Sequence, residues 1–196
     1  DLAGHGYSDS PSFFDYGPEE HAEALVRFMD AMGIETAHLL GYGMGACFAL
    51  LLAQLHPERV DRIIAITPGG LTSEMPTSIK LLRSGIFGIF RRSTFSRKNI
   101  AKLIDDSLFD HTVLKEHDID QYAEPFTNPD VRSGVQRTVM AFDEEDILDK
   151  LRSVDSEVLL LWGDKDNWRP IDMKDTYLAV LRHANFMIVR NSGHIP

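Results

Sequence analysis

Apolar positions along this chain alternate between two periods, and the alternation predicts strands separated by helices. Behind Pro18 and two acids, the residues Ala22, Leu25, Val26, Met29 and Met32 recur at helical spacing, and Gly33 follows as a C-cap. Residues 36–40 are a short apolar run closed by glycines, and residues 46–56 are a second helix, stopped by Pro57. Residues 60–67, with Ile63, Ile64, Ala65 and Ile66 in succession, are apolar on both faces. Such a strand belongs in the middle of a parallel sheet covered by helices. The alternation returns as a strand at 158–162, a helix at 171–181 and a strand at 185–189, so the expected class is α/β.

About ninety residues separate the strand ending near Thr67 from the one starting near Glu157, whereas a parallel crossover needs roughly a dozen. An insertion is expected there. Its apolar residues fall in helix-like groups at 79–90, 100–108 and 135–142, broken by Phe126-Thr127-Asn128-Pro129-Asp130, which predicts a helical cap over one end of the sheet. The expected division is core at 1–70, cap at 71–150 and core again at 151–196. From Lys80 to Lys102 the insertion carries seven basic residues and no acid, while residues 143–155 are rich in acids. The simplest expectation is two oppositely charged solvated faces that touch. A surface for a membrane or an anionic ligand is the alternative.

Composition narrows the picture. The 196 residues are 43% hydrophobic and 26% charged, as in an ordinary globular protein with a real core. Thirty acids against twenty bases give a net charge of -10, which disfavours a nucleic-acid partner. No apolar run has the length of roughly 20 residues that a membrane span needs. Cys47 is the single cysteine, so no intramolecular disulfide forms, and it is expected to pack as a small hydrophobe. Neither H-x-x-x-H nor C-x-x-C spacing is present, so no metal and no cofactor are expected. The expected location is the cytoplasm.

The candidate chemistry lies in Gly41-Tyr42-Gly43-Met44-Gly45-Ala46, between a strand and a helix, where ligands bind in α/β sheets. Two mechanisms compete for it. One is the dinucleotide fingerprint G-x-G-x-x-G/A, which sets a pyrophosphate on the helix N-terminus. It also needs an acid at the end of the next strand, but that strand ends Ile66-Thr67-Pro68 and Asp61 lies at its start. The other is the nucleophile elbow G-x-S-x-G, with Gly43 at the central position.

Three further segments carry a resemblance. Asp1-Leu2-Ala3-Gly4-His5-Gly6-Tyr7-Ser8 resembles D-L-x-G-x-G-x-S; Leu159-Leu160-Leu161-Trp162-Gly163-Asp164-Lys165-Asp166 resembles an acid-bearing loop; Ser192-Gly193-His194 resembles a histidine loop. With the elbow, and with His56-Pro57-Glu58-Arg59-Val60 after its helix, they resemble the α/β-hydrolase family. The nearest members by motif are capped ones related to epoxide hydrolases, meta-cleavage-product hydrolases and small esterases. The resemblance implies the C-terminal half of a mostly parallel sheet with an inserted cap, and a small-molecule substrate. It also implies that the first four strands, the first helix and one oxyanion-hole loop precede Asp1, which would leave an open edge on the strand at 36–40.

By that resemblance His194 is the general base, Asp166 the acid that orients it, with Asp164 as the alternative, and Gly43 occupies the nucleophile position. The backbone N–H of Met44 belongs to the oxyanion hole, and Tyr42 flanks the substrate pocket. The other seven histidines are expected at the surface or in structural roles. Glycine offers no nucleophile. Three explanations follow: a non-catalytic binding or signalling protein, a Ser-to-Gly replacement, or direct activation of water by His194.

Overall fold

The computed structural model describes residues 1–70 and 94–196 of the chain. The helical group expected at 79–90, and most of the basic run, lie outside the described residues. The centre is a four-stranded parallel sheet in the order β1-β2-β3-β4, formed by Ala37–Tyr42, Val60–Ile66, Glu157–Gly163 and Ala184–Val189. Helix α1 (Pro18–Ala31) precedes β1, and α2 (Met44–Leu55) connects β1 to β2. Between β2 and β3 come α3 (Arg97–Ser107), α4 (Glu116–Ala123), α5 (Pro129–Ala141) and α6 (Glu144–Lys150). A short 3-10 turn and α7 (Lys174–Val180) connect β3 to β4.

Each element follows from its residues. Helix α1 opens with Pro18, Glu19 and Glu20, which suit the N-terminal dipole, and buries His21, Ala22, Val26 and Met29. Gly33 takes φ 68° after it, and Ile34 returns its N–H to the Met29 carbonyl. Helix α2 is apolar all round, and its residues from Ala46 to Ala53 are all buried. It therefore forms the centre of the core, between α1, the sheet and α6, whose Ile147 joins the same cluster.

Register sorts the strand residues onto two faces. The row Gly41, Ala65, Leu160 and Phe186 shares the covered face with Ile63, Val158 and Trp162. The opposite rows hold Leu40, Ile64 and Leu159, then Tyr42, Ile66, Leu161 and Met187. Among the described residues this second face is only partly covered, with Leu40 at 67% and Met187 at 54% exposure. On the central strand β2 the same face is half-buried, at Ile64 and Ile66. Strand β1 pairs with β2 alone among the described strands.

The segment from α3 to α6 is tied to the first loop of the chain by α5. Arg137 lies 4.2 Å over the Tyr16 ring and donates to the Phe14 carbonyl at 2.6 Å. A Cβ on Gly134 would sit 2.7 Å from Gly4 Cα, so the two backbones touch. Beneath them His21 stacks on Phe48 at 4.7 Å, with Nε2 3.0 Å from Thr138 Oγ1 and Nδ1 without a partner.

Two outcomes follow. Gly41→Ala would set a Cβ 2.5 Å from Ala46 Cα and from the Gly45 carbonyl oxygen, both backbone. Strand and helix must then part, and urea denaturation should show a loss of about 1–3 kcal/mol. His21 is held neutral in the fold, because burial first and His5 second push its pKa down to about 4. The unfolded chain takes up this proton near the ordinary imidazole value, so the contribution is complete above about pH 6.5 and is lost progressively as pH falls toward 4. His21→Phe should flatten that part of the stability–pH curve.

Candidate active site

The turn between β1 and α2 is a single residue, Gly43, with φ 55° and ψ −125°. Side chains with a Cβ seldom adopt that backbone. Its N–H donates to the Ile66 carbonyl at 3.0 Å, and its own carbonyl accepts from Gly69 N–H at 3.2 Å. The elbow is thus held from the loop after β2. Among the described residues, a Cβ built on Gly43 would meet only the Gly69 carbonyl oxygen, at 3.8 Å, an ordinary contact distance. Met44 is the first residue of α2, and its N–H has no carbonyl four residues back inside the helix.

The loop after β3 supplies Asp166, whose side chain is fully buried. Its Oδ1 accepts from the backbone N–H groups of Trp168 at 2.9 Å and Arg169 at 2.8 Å. Its Oδ2 lies 2.8 Å from Nδ1 of the buried His194. An ionised carboxylate only accepts, so Nδ1 carries the proton and Nε2 is left with its lone pair. Backbone contact brings the two loops this close: a Cβ on Gly163 would lie 2.1 Å from the Gly193 carbonyl oxygen. Asp164 does not reach the imidazole and instead accepts from Ser192 N–H at 3.3 Å. The alternative acid therefore braces the histidine loop.

The rings of Tyr42 and Trp168 stand 5.2 and 5.0 Å from the His194 ring. Gly43, Met44 and Tyr42 belong to one turn, and Tyr42 connects that turn to the Asp166–His194 pair. A cavity of about 640 Å³ reaches the chain next to His194 through Ile195, without being lined by His194, Asp166 or the elbow residues themselves. Leu108, Val113, Leu114, Tyr122 and Phe126 line it, and the charged residues of its described wall are Asp1 and Asp118. The C-terminal end of α3 is pinned there, because Ile195 N–H donates to the Ser107 carbonyl at 3.1 Å. Among the described residues no cluster of His, Cys, Asp and Glu could hold a metal ion, and no helix is long and apolar enough to cross a membrane. Asp61 lies near the start of β2, at the far end of that strand from Gly43.

The sequence pattern did not single out Trp168, Arg169 or Glu144, although a charged residue between Trp168 and Pro170 in a strand-end loop was a usable signal. Of the basic run, Arg97, Lys98 and Lys102 lie among the described residues. Arg97 pairs with Glu116 and Asp120 of α4, and Lys102 pairs with Asp106 one turn along α3. Among the acids from Asp143 onward, Asp143 caps α6 and Asp146 pairs with Lys150, both locally, whereas Glu144 pairs with the distant Arg169.

A model of the alpha/beta hydrolase fold family matches residues 1–196. The 2-hydroxy-6-oxo-6-phenylhexa-2,4-dienoate hydrolase of Comamonas testosteroni is 31% identical over 182 residues, covering 89% of this chain and 62% of that enzyme. The uncharacterized hydrolase YugF of Bacillus subtilis (strain 168) is 22% identical over 196 residues, covering 100% of this chain and 72% of that protein. Among solved structures, wild-type Cfl2 from Burkholderia cenocepacia superposes with a TM-score of 0.85 at 20% identity, covering 99% of this chain and 71% of Cfl2.

Cys47 lies one turn into α2, fully buried, with Sγ 3.5 Å from the Tyr177 hydroxyl. Burial, against the pull of that hydrogen bond, pushes its thiol up to about 12. It is therefore no substitute nucleophile for Gly43. A thiol reagent at pH 8 should leave the native chain unmodified and react with one equivalent after denaturation in guanidinium, read by mass spectrometry. Rapid modification of the folded chain would contradict this placement.

Proposed function

The chain belongs to the alpha/beta hydrolase fold family, and from that premise we propose that it binds a small uncharged carbonyl compound, an ester or a ketone, at a hydrolytic site that lacks its covalent nucleophile. The observation that carries this is the buried Asp166–His194 hydrogen bond of 2.8 Å beside a glycine elbow where, among the described residues, a Cβ would make no close contact. In this scheme residues 1–70 and 151–196 are the core, and 71–150 are the cap that closes over the ligand. Asp166 fixes the imidazole tautomer, and His194 Nε2 faces the ligand as general base. The N–H of Met44 holds the carbonyl oxygen, and Tyr42 forms the side wall. Cavity charge supports an uncharged ligand. The Comamonas testosteroni relative is named for a dienoate, whereas the charged residues of the described wall here, Asp1 and Asp118, are both acids. We place the protein in the cytoplasm, with a small molecule rather than nucleic acid as its partner.

With serine at position 43 the same geometry completes an acyl transfer. The hydroxyl oxygen attacks the carbonyl while His194 Nε2 takes its proton, and the tetrahedral oxyanion rests on Met44 N–H. His194 then returns the proton to the leaving alcohol, and water releases the acyl group. Glycine removes the first of these steps, and losing the nucleophile in a comparable hydrolase lowers turnover by about a million-fold. The chain as it stands is therefore a binding protein with latent chemistry.

Gly43→Ser should convert it. The variant is expected to be labelled by a fluorophosphonate and to cleave a short-chain aryl ester several orders of magnitude faster than the parent. Adding Asp166→Asn should reduce that gain by about 10⁴-fold through the wrong imidazole tautomer. A cooperatively folded Gly43→Ser protein with neither labelling nor cleavage would overturn this function.

A further inference from the structure

We propose that Arg169 and Glu144 are a positioning pair for Asp166 and His194, an ionic clamp that joins the acid loop, the turn behind the elbow and the start of α6. The inference rests on the hydrolytic role given to Asp166 and His194 above. Arg169 is fully buried. Its guanidinium donates to Glu144 Oε1 at 2.5 Å and Oε2 at 3.1 Å, the two-pronged geometry that fixes direction as well as distance. One prong also reaches the Gly70 carbonyl at 3.1 Å.

Glu144 is engaged on both oxygens, accepting in addition from Gly70 N–H at 3.2 Å and from the Tyr177 hydroxyl at 2.8 Å. Burial pulls the Arg169 pKa down, but the hydrogen bonds and charge of Glu144 outweigh it, and the net shift is upward. Arg169 therefore stays charged within the pair.

Two contacts connect the clamp to the site. The backbone N–H of Arg169 itself donates to Asp166 Oδ1, and its carbonyl accepts from Trp162 Nε1 at 2.7 Å, so the residue is pinned on both sides of its α-carbon. On the other side the guanidinium lies against Gly69, where a Cβ would sit 2.1 Å from Nη2. Gly69 donates the hydrogen bond that holds the Gly43 carbonyl. One side chain thus sets the distance between the acid and the elbow.

A buried ion pair is a poor source of stability, since apolar residues of similar volume often do as well or better. Arg169 Nε has no partner, which fits a group selected by the geometry of its far edge rather than by full hydrogen-bond satisfaction. The pair supplies register, and register is what a reacting group must have: a misplacement of about 1 Å can lower a rate by roughly 100-fold.

The test uses two readouts. In the unaltered chain, proton NMR should show the His194 Nδ1–H resonance far downfield and slow to exchange, as expected for a buried proton held by Asp166. Arg169→Met should abolish or broaden it, Arg169→Lys should restore it in part, and Glu144→Gln, which nearly preserves volume, should weaken it. In the Gly43→Ser background the same changes should lower kcat by roughly 10- to 100-fold while leaving KM within about threefold. If Arg169→Met fails to fold, Glu144→Gln decides in the same way. Variants that melt earlier but keep the resonance and kcat would show the clamp to be structural only, and overturn the inference. An inactive Gly43→Ser protein would count against the proposed function, while the resonance in the unaltered chain still judges the clamp.

Discussion

Backbone must touch backbone at the carboxyl ends of β1 and β3, and the rest of the site depends on it. At Gly41 there is no room for a methyl group between strand and helix, and at Gly163 none between the strand end and the histidine loop. The first contact brings the start of α2 directly above β1, so a turn of one residue connects them. The second lays the histidine loop on the acid loop, closely enough for a 2.8 Å hydrogen bond between residues 28 apart in sequence. Both contacts lie at the carboxyl edge of a parallel sheet, where ligands bind in such folds. Larger residues there would separate the elbow, the acid and the histidine before any of them changed chemically.

The same constraint explains how the elbow accommodates a glycine. A residue with a Cβ at φ 55° is strained by roughly 1–2 kcal/mol, a cost borne where function requires the conformation. Glycine adopts it without that strain. The hydrogen bonds from Ile66 and Gly69 that hold the turn use only main-chain atoms, so they do not depend on the side chain at position 43. Shape and chemistry are separable here: the turn is specified by its neighbours, while the nucleophile would be supplied by one side chain. A glycine elbow can therefore be more relaxed than its serine form and still present the same edge to a ligand.

Periodicity made the sheet legible. The strands at 36–40, 60–67, 158–162 and 185–189 correspond to β1 through β4 within two residues at each end, because their apolar runs are short and bounded by Gly, Pro or charged residues. Helices α1 and α2 were legible from spacing, and α3 and α5 from their apolar groups. Helices α4 and α6 were not, since each is short and acid-rich, with one buried residue apiece, Ile119 and Ile147. Asp166 and His194 could be named from motif context, but their hydrogen bond is a property of the folded loops. Glu144 was hidden for a different reason. It lies in a run of acids that looks solvated, and only the fold shows that one of them turns inward to a buried arginine 25 residues away.

A paired acid and histidine beside a glycine do not by themselves require chemistry. Asp166 is desolvated, and its two oxygens are satisfied by two backbone N–H groups and one imidazole. Removing His194 would leave Oδ2 without its donor, at a cost of about 1–3 kcal/mol. Stability alone is thus enough reason for the pair. It is not a reason for the two aromatic rings set against the imidazole, Tyr42 from the elbow and Trp168 from the acid loop. Those rings come from two different loops, so the imidazole is where the elbow and the acid loop meet, and its direction is fixed from both.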